Sequence, residues 1–262
     1  MAERDVLARE LAHHEELYSG FAQKHFAKPA VRALRRHLAR RILEAAGAGS
    51  RSRLLSLGCG IGDTELLLAP HVEQVVGLDL SPAAIRQARA DAEQAGVANA
   101  QFLKGSVEEA GLEPESFDAV IGVFFLHHLP DSALARLPAQ VKRLLKPGGV
   151  FYSLDPSRRR LSGAVGRLVA PKLMARYQSP DERELDPHET AALFRRAGFT
   201  VSVRFYDFVS TPMAGLFPGA RRWYGFWRWV DGALIRIPAV RALGSNFELI
   251  ARKPAGGAAT AG

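Results

Sequence analysis

Gly58, Gly60 and Gly62, in "LLSLGCGIGDTE" (54–65), are the first residues whose type and spacing could do chemistry. A loop without side chains lets a backbone come close to a nucleotide, and a helix start behind it supplies free N–H groups. A dinucleotide fingerprint would need glycine at position 63, where Asp63 stands. A phosphate loop would need Gly-Lys-Ser/Thr, which is absent. An acid at the helix start disfavours a diphosphate there and suits a cationic ligand. Asp79 comes 17 residues after Gly62, at the end of an apolar run. A carboxylate at such a strand tip can accept both hydroxyls of a ribose. The competing role, capping the next helix, falls to Ser81, which precedes a proline at the first helical position.

The elements that must hold these residues follow from the hydrophobic pattern. "RLLSL" (53–57), "QVVGLDL" (74–80), "AQFLKGS" (100–106), "FDAVIGVFFL" (117–126) and "VFYSLDP" (150–156) read as strands. Between them, 63–71, 81–96 and 132–145 read as helical, with Pro138 an early kink and "PGG" a turn. Such alternation predicts a parallel sheet covered on both faces. Upstream, Val31, Leu34, Leu38 and Ile42 make a stripe on a helix over 28–47, which ends at Gly47 and Gly49. Residues 3–18 read as a shorter helix, with Tyr18, Phe21 and Phe26 in the connection. Downstream, 188–199 reads as a helix, and 200–210 and 246–254 as strands. The expected organisation is one domain over 1–254, with a helical cap (1–50), a nucleotide-binding core (52–156) and a flexible tail (255–262).

Composition narrows the classes. Among 262 residues, 47% are apolar and 24% charged, the balance of a globular protein. The single cysteine, Cys59, excludes a disulfide framework and a multi-cysteine zinc site, and suits a reducing cytoplasm. The N-terminus is charged from residue 3, so no signal peptide is expected, and no apolar run is long enough to span a bilayer. The net charge of +8 is spread along the chain without a long basic block.

Five ordered segments resemble the class I S-adenosylmethionine-dependent methyltransferases: "LLSLGCGIG", "VVGLDLSPAAIRQAR", "FLKGSVEE", "FDAVIGVFFLHHLPD" and "RLLKPGGVFY". The resemblance covers about residues 52–155. It implies an α/β, Rossmann-like seven-stranded sheet, mostly parallel with the last strand antiparallel. It also implies S-adenosylmethionine as cofactor and S-adenosylhomocysteine as product. By the same resemblance, Gly58, Cys59, Gly60 and Gly62 line the methionine and ribose part of the cofactor. Asp79 holds the ribose hydroxyls, Leu80 packs on the adenine, and Gly105, Ser106 and Val107 sit at its edge. Gly122, Val123 and Phe124 lie near the methyl group, with His127 just beyond. Ser56 departs from the family, which usually carries Asp or Glu there, near the cofactor's ammonium. Asp63 or a backbone carbonyl would have to compensate.

Methyl transfer from a sulfonium is an in-line displacement that mainly needs alignment, with a base only where the nucleophile must lose a proton early. His127 and Tyr18 are the candidate catalytic residues, and no metal is expected. His25 and Phe26 belong to a segment that in similar enzymes lies over the cofactor, and with Phe124 they are candidate acceptor contacts. Two insertions, 157–187 and 211–245, exceed a minimal fold. All three tryptophans fall in "WYGFWRW" (223–229), among arginines, which adds Trp223 and Trp227 to the acceptor candidates. Apolar neighbours favour a small hydrophobic or lipid-like acceptor, with peripheral membrane contact, over nucleic acid. RNA or protein methylation, and cofactor binding without catalysis, stand as the alternatives. "GVFFLHH" occupies the place where an amino-methylating enzyme would carry an Asn-Pro-Pro-Tyr-like motif.

Overall fold

In the computed structural model, Arg9, Leu11, Ala12, Glu15 and Tyr18 and residues 21–163 and 183–256 are described. Most of the helix expected over 3–18, the middle of the first insertion (164–182) and the end of the tail (257–262) lie outside the described residues.

Seven strands form one sheet: β1 (Arg53–Leu57), β2 (Gln74–Asp79), β3 (Ala100–Lys104), β4 (Phe117–Val123), β5 (Leu145–Pro156), β6 (Thr200–Asp207) and β7 (Asn246–Arg252). Their order is β3-β2-β1-β4-β5-β7-β6. The first five run parallel, and β7 is antiparallel to both β5 and β6. The fold expected from the resemblance is therefore the fold present.

The helices are α1 (Phe21–Phe26), α2 (Pro29–Ala46), α3 (Glu65–Leu68), α4 (Pro82–Gln94), α5 (Asp131–Leu144), α6 (Pro187–Arg196), α7 (Ser210–Leu216), α8 (Arg221–Ile235) and α9 (Pro238–Arg241). Alternation along the strands sorts the core into two layers. Leu55, Leu57, Val120 and Phe151 meet α5 and α6 on one face, where the Phe151 and Phe194 rings stack at 4.7 Å. Leu54, Ile121, Tyr152 and Leu154 meet α2 and α8 on the other. The stripe of α2 buries Leu34, Leu38 and Ile42, worth roughly 2 kcal/mol each against exposure. Ser56 shares the face of Leu54, so its hydroxyl is turned into this second layer, and it is 2% exposed.

Several boundaries differ from expectation for local reasons. Residues 21–26 are helical, not connecting chain. The helix after the glycine loop is one turn, followed by a 3-10 turn over Ala69–His71, because Pro70 has no N–H to continue it. β4 stops at Val123, because Phe124 adopts φ +53°. β5 starts at Leu145, so the "PGG" turn is an irregularity within a strand. The second insertion folds as three helices, α7 to α9.

Candidate functional site

The carboxyl ends of β1, β2 and β4 converge on a cavity of about 200 Å³. Gly58, Asp79, Leu80, Gly105, Ser106, Val107 and Phe124 all line it, as sequence reasoning expected. Tyr18 lines it from the N-terminal segment, and Phe125, His128, Leu129, Arg136 and Gln140 line it from the β4 end and α5. This second group was largely missed, since polar residues along a helix give no signal of which cavity they face.

The glycine loop is set by hydrogen bonds from two directions. Gly60 N–H donates to one oxygen of Asp79 at 2.8 Å, and Ser81 N–H donates to the other at 2.8 Å. Asp79 thus ties β2 to the loop after β1. Ser81 caps α4, accepting from Ala84 N–H at 3.0 Å, so the cap and the strand-tip carboxylate are separate residues. Glu15 reaches the same helix start, contacting Ser81 Oγ and accepting from Ala83 N–H.

The three glycines do different work. A Cβ on Gly58 would stand 2.5 Å from Phe125 Cδ2, and one on Gly60 would stand 2.7 Å from the Tyr18 hydroxyl. Those two faces point to the cavity side, where Phe125 and Tyr18 cover the loop. A Cβ on Gly62 would instead meet Phe102 at 2.6 Å and Ala88 at 3.1 Å, inside the core between β3 and α4. Gly62, expected against the cofactor, serves the packing of α4.

Ser56 is paired with an acid that sequence reasoning passed over. Ser56 Oγ donates to Glu65 Oε1 at 2.6 Å, and Glu65 is 3% exposed. Its second oxygen, Oε2, is buried with no hydrogen-bond partner. Burial pushes the Glu65 carboxyl up to about 7, against the Ser56 hydrogen bond, with Asp63 raising it further and Arg35 opposing. Asp63, the compensating acid first considered, is held by Arg35 Nε at 2.9 Å. The Arg35 guanidinium also lies 5.0 Å from the Phe26 ring centre and 6.0 Å from that of Phe124, joining α1, the loop and β4. Ser56 and Glu65 flank the loop, two residues before its first glycine and three after its last, a spacing that does not by itself mark them as facing each other.

The remaining candidates are placed as follows. Cys59 is buried, its sulfur turned toward Gly77, and burial raises its thiol well above the usual value. His25 packs edge-on against Phe26, and Val123 packs in the layer under α2. Gly122 sits under Phe125. His127 is 4% exposed, with Nδ1 2.9 Å from Asp155 Oδ1. That contact makes it a buried paired residue at the β5 end, and His128 beside it is the one lining the cavity. Burial and the nearby Asp79 hold the Tyr18 hydroxyl well above its ordinary pKa, so it stays protonated at neutral pH. Trp227 is buried in the core layer, whereas Trp223 is 59% exposed; neither lines the cavity. Among the described residues, no group of three His, Cys, Asp or Glu side chains is placed to hold a metal ion.

A glycine loop, a strand-tip carboxylate and a buried carboxylate with an unpartnered oxygen fit a cationic nucleoside. Comparison with known proteins agrees. Residues 54–149 match the family model described as "Methyltransferase domain". The uncharacterized methyltransferase sll0829 of Synechocystis is 31% identical over 152 residues, 57% of this chain and 67% of that one. A ubiquinone biosynthesis O-methyltransferase of Bordetella bronchiseptica is 34% identical over 165 residues, 60% of this chain and 66% of that one. The crystal structure of Bacillus subtilis YcgJ superposes with a TM-score of 0.58 at 21% identity, covering 84% of this chain and 99% of that one. In sequence, the match to YcgJ spans only 44% of each chain, so the chain covers from under half to two thirds of these curated relatives. The ordered motifs, the sheet order and these likenesses establish that the chain belongs to the class I S-adenosylmethionine-dependent methyltransferases.

Proposed function

We propose that the protein transfers a methyl group from S-adenosylmethionine to a small, hydrophobic or lipid-like acceptor. The observation that carries this reading is a strand-tip carboxylate, Asp79, bound to the glycine loop, together with the buried and unpartnered Glu65 Oε2 just after that loop. Asp79 accepts the ribose hydroxyls, Leu80 and Val107 flank the base, and Glu65 with Ser56 receives the ammonium. The cofactor supplies an activated methyl on sulfur. The chain's own part is alignment and the exclusion of water. Phe124 and Phe125, with Leu129, give the acceptor side an apolar wall. Tyr18 and His128 add polar groups beside that wall, as do Arg136 and Gln140, and Tyr18 acts as a hydrogen-bond donor, not as a base.

An apolar acceptor is supported by the aromatic and aliphatic lining and by the likeness to a ubiquinone biosynthesis O-methyltransferase. Peripheral contact with a membrane surface goes with that acceptor class. A second reading, binding without transfer, is favoured by the Phe125 ring, which covers Gly58 and keeps the cavity at about 200 Å³. Calorimetry with S-adenosylmethionine, followed by methyl-label transfer to lipid extract and to total RNA, tests the proposal. Heat and labelled lipid are expected. Absence of heat at millimolar cofactor overturns both readings, heat without label supports the second, and labelled RNA moves the acceptor to nucleic acid.

A further inference from the structure

A second, larger concavity lies at the opposite edge of the sheet and shares no residue with the cofactor cavity. It has a volume of about 590 Å³ and wraps residues 203–206 of the edge strand β6. Its cationic lining is Arg41, Arg159, Arg204, Arg228 and Arg241, against one lining acid, Glu248. Glu248 is 2% exposed and already engaged, accepting from Arg41 at 2.8 and 2.9 Å and from the Tyr152 hydroxyl at 2.8 Å. Arg228 is held by Asp231, and Arg159 lies 3.7 Å from Asp186. Arg204 and Arg241 are exposed, and among the described residues no carboxylate pairs with them. The cavity therefore presents net positive charge with two arginines available to an incoming anion.

One wall of this groove is the end of α8 and the helix after it, through Ile235, Pro238 and Arg241. The outer face of α8 carries a ridge of rings. Trp223, Phe226 and Trp229 are 59%, 51% and 69% exposed, and successive ring centres are 5.9 and 6.0 Å apart. Leu216, Phe217, Ile237 and Leu243, in the chain before and after α8, are also exposed. Rings and aliphatic side chains presented together to water need a partner. The run 221–241 holds five arginines and a single acid, Asp231. Asp231 is fully buried, its oxygens accepting from the backbone N–H groups of Phe208, Val209 and Ser210. The exposed surface of the segment is thus apolar and cationic with no anion to offset it. Nucleic acid would use the arginines and the rings but would leave the aliphatic residues wet.

We propose that α8 and α9 dock the protein on an anionic lipid bilayer, with the aromatic ridge at the headgroup level and lipid phosphates seated in the arginine groove. Interfacial helices combine these two features, bulky rings on one face and cations beside them. The proposal does not depend on methyl transfer, since the docking surface and the cofactor cavity are separate.

The full chain is sedimented with phosphatidylcholine vesicles, with and without phosphatidylglycerol. Two variants, Trp223→Ser/Phe226→Ser/Trp229→Ser and Arg204→Ala/Arg241→Ala, are compared, with melting temperatures to check folding. The expected result is binding to the phosphatidylglycerol vesicles alone, with a blue shift of tryptophan emission. The ring variant loses binding and shift together, and the arginine variant binds roughly thirtyfold more weakly. Equal binding to both vesicles, or folded variants that bind like the parent, overturns the proposal. So does retention of total RNA, or heat from inorganic phosphate, when neither vesicle is bound. The first outcome assigns the surface to nucleic acid and the second assigns the groove to a free anion.

Discussion

Glu65 makes the sharpest claim of any single residue. An acid buried at 3% exposure, with its carboxyl pushed up to about 7, is costly unless something uses it. A cation arriving at Oε2 favours the ionised form, so cofactor binding should release a proton below about pH 7. The sign follows directly: affinity is full above the raised pKa and falls as pH drops through it. The groups facing Glu65 are Ser56, Asp63, Arg35 and Cys59, and Asp63 and Arg35 offset each other in their salt bridge. Glu65→Gln is expected to weaken S-adenosylmethionine roughly thirtyfold at pH 8 and to flatten the pH dependence of its affinity, both read by calorimetry. The same variant should melt higher than the parent at pH 8 without cofactor, because it removes a buried charge. Adding Ser56→Asp to it, which returns the acid to the strand tip, is expected to recover most of the affinity. An unchanged affinity in Glu65→Gln would remove the ammonium role. Asp79→Ala is expected to cost more, since it also frees the Gly60 and Ser81 N–H groups that its carboxylate now holds; cofactor affinity equal to the parent's would refute the ribose role.

At the scale of elements, the glycine loop separates into a ligand face and a packing face. Gly62 has φ +76°, and its missing Cβ is directed at Phe102, which is 2% exposed among Cys59, Ile85 and Ala88. Gly62→Ala combines a left-handed backbone with overpacking, so a loss of about 2–4 kcal/mol in urea unfolding is expected. Gly58→Ala shares the left-handed backbone, at φ +64°, but the nearest atoms its Cβ would meet belong to the Phe125 ring, a side chain able to swing into the cavity. Its expected effect is weakened cofactor binding by calorimetry with a smaller stability loss; the reverse ranking would contradict the division. This division marks how far the sequence was legible. The strands and their order could be read because apolar runs and punctuating glycines are local signals, and Asp79 because its spacing from the loop is fixed by one βα turn. The direction of a missing Cβ is not local. It depends on where β3 places Phe102, 40 residues further along the chain. The pairing of Ser56 with Glu65 was hidden for a similar reason, since two positions flanking a loop carry no mark of facing each other. His127 drew attention as a candidate catalytic residue beyond the fourth strand, yet it is buried against Asp155, contributed by the next strand.

Across the whole molecule, the junction of β6, α7, α8 and β7 is built on two fully buried carboxylates, and this should be visible in the pH dependence of stability. Asp207 accepts from Thr211 N–H at 2.8 Å and from Asn246 Nδ2 at 2.7 Å, and Asp231 holds three backbone N–H groups of the preceding turn. Burial, reinforced by the neighbouring Asp231 charge, pushes the Asp207 carboxyl from 3.8 up to about 6. A carboxyl raised on folding binds its proton more tightly in the native chain than in the unfolded one. Its contribution to stability is complete below about pH 4 and is lost as pH rises to about 6. Asp186 works in the opposite sense. It is buried, yet the capping N–H groups of Glu189 and His188 hold it below the ordinary value, so its contribution is lost as acid is added. A raw stability curve therefore mixes both signs, and a difference curve is needed. The stability of Asp207→Asn minus that of the parent, from urea unfolding, is expected to rise by roughly 2 kcal/mol between about pH 4 and pH 6 and to stay flat above about pH 7. The constant offset between the two proteins reports the hydrogen bond from Thr211 that an amide nitrogen cannot accept, and only the slope reports the buried charge. A flat difference across that window would mean that Asp207 ionises as freely in the fold as in the unfolded chain. The junction would then be held by its hydrogen bonds alone, with no charge stored beneath the helices proposed to meet the membrane.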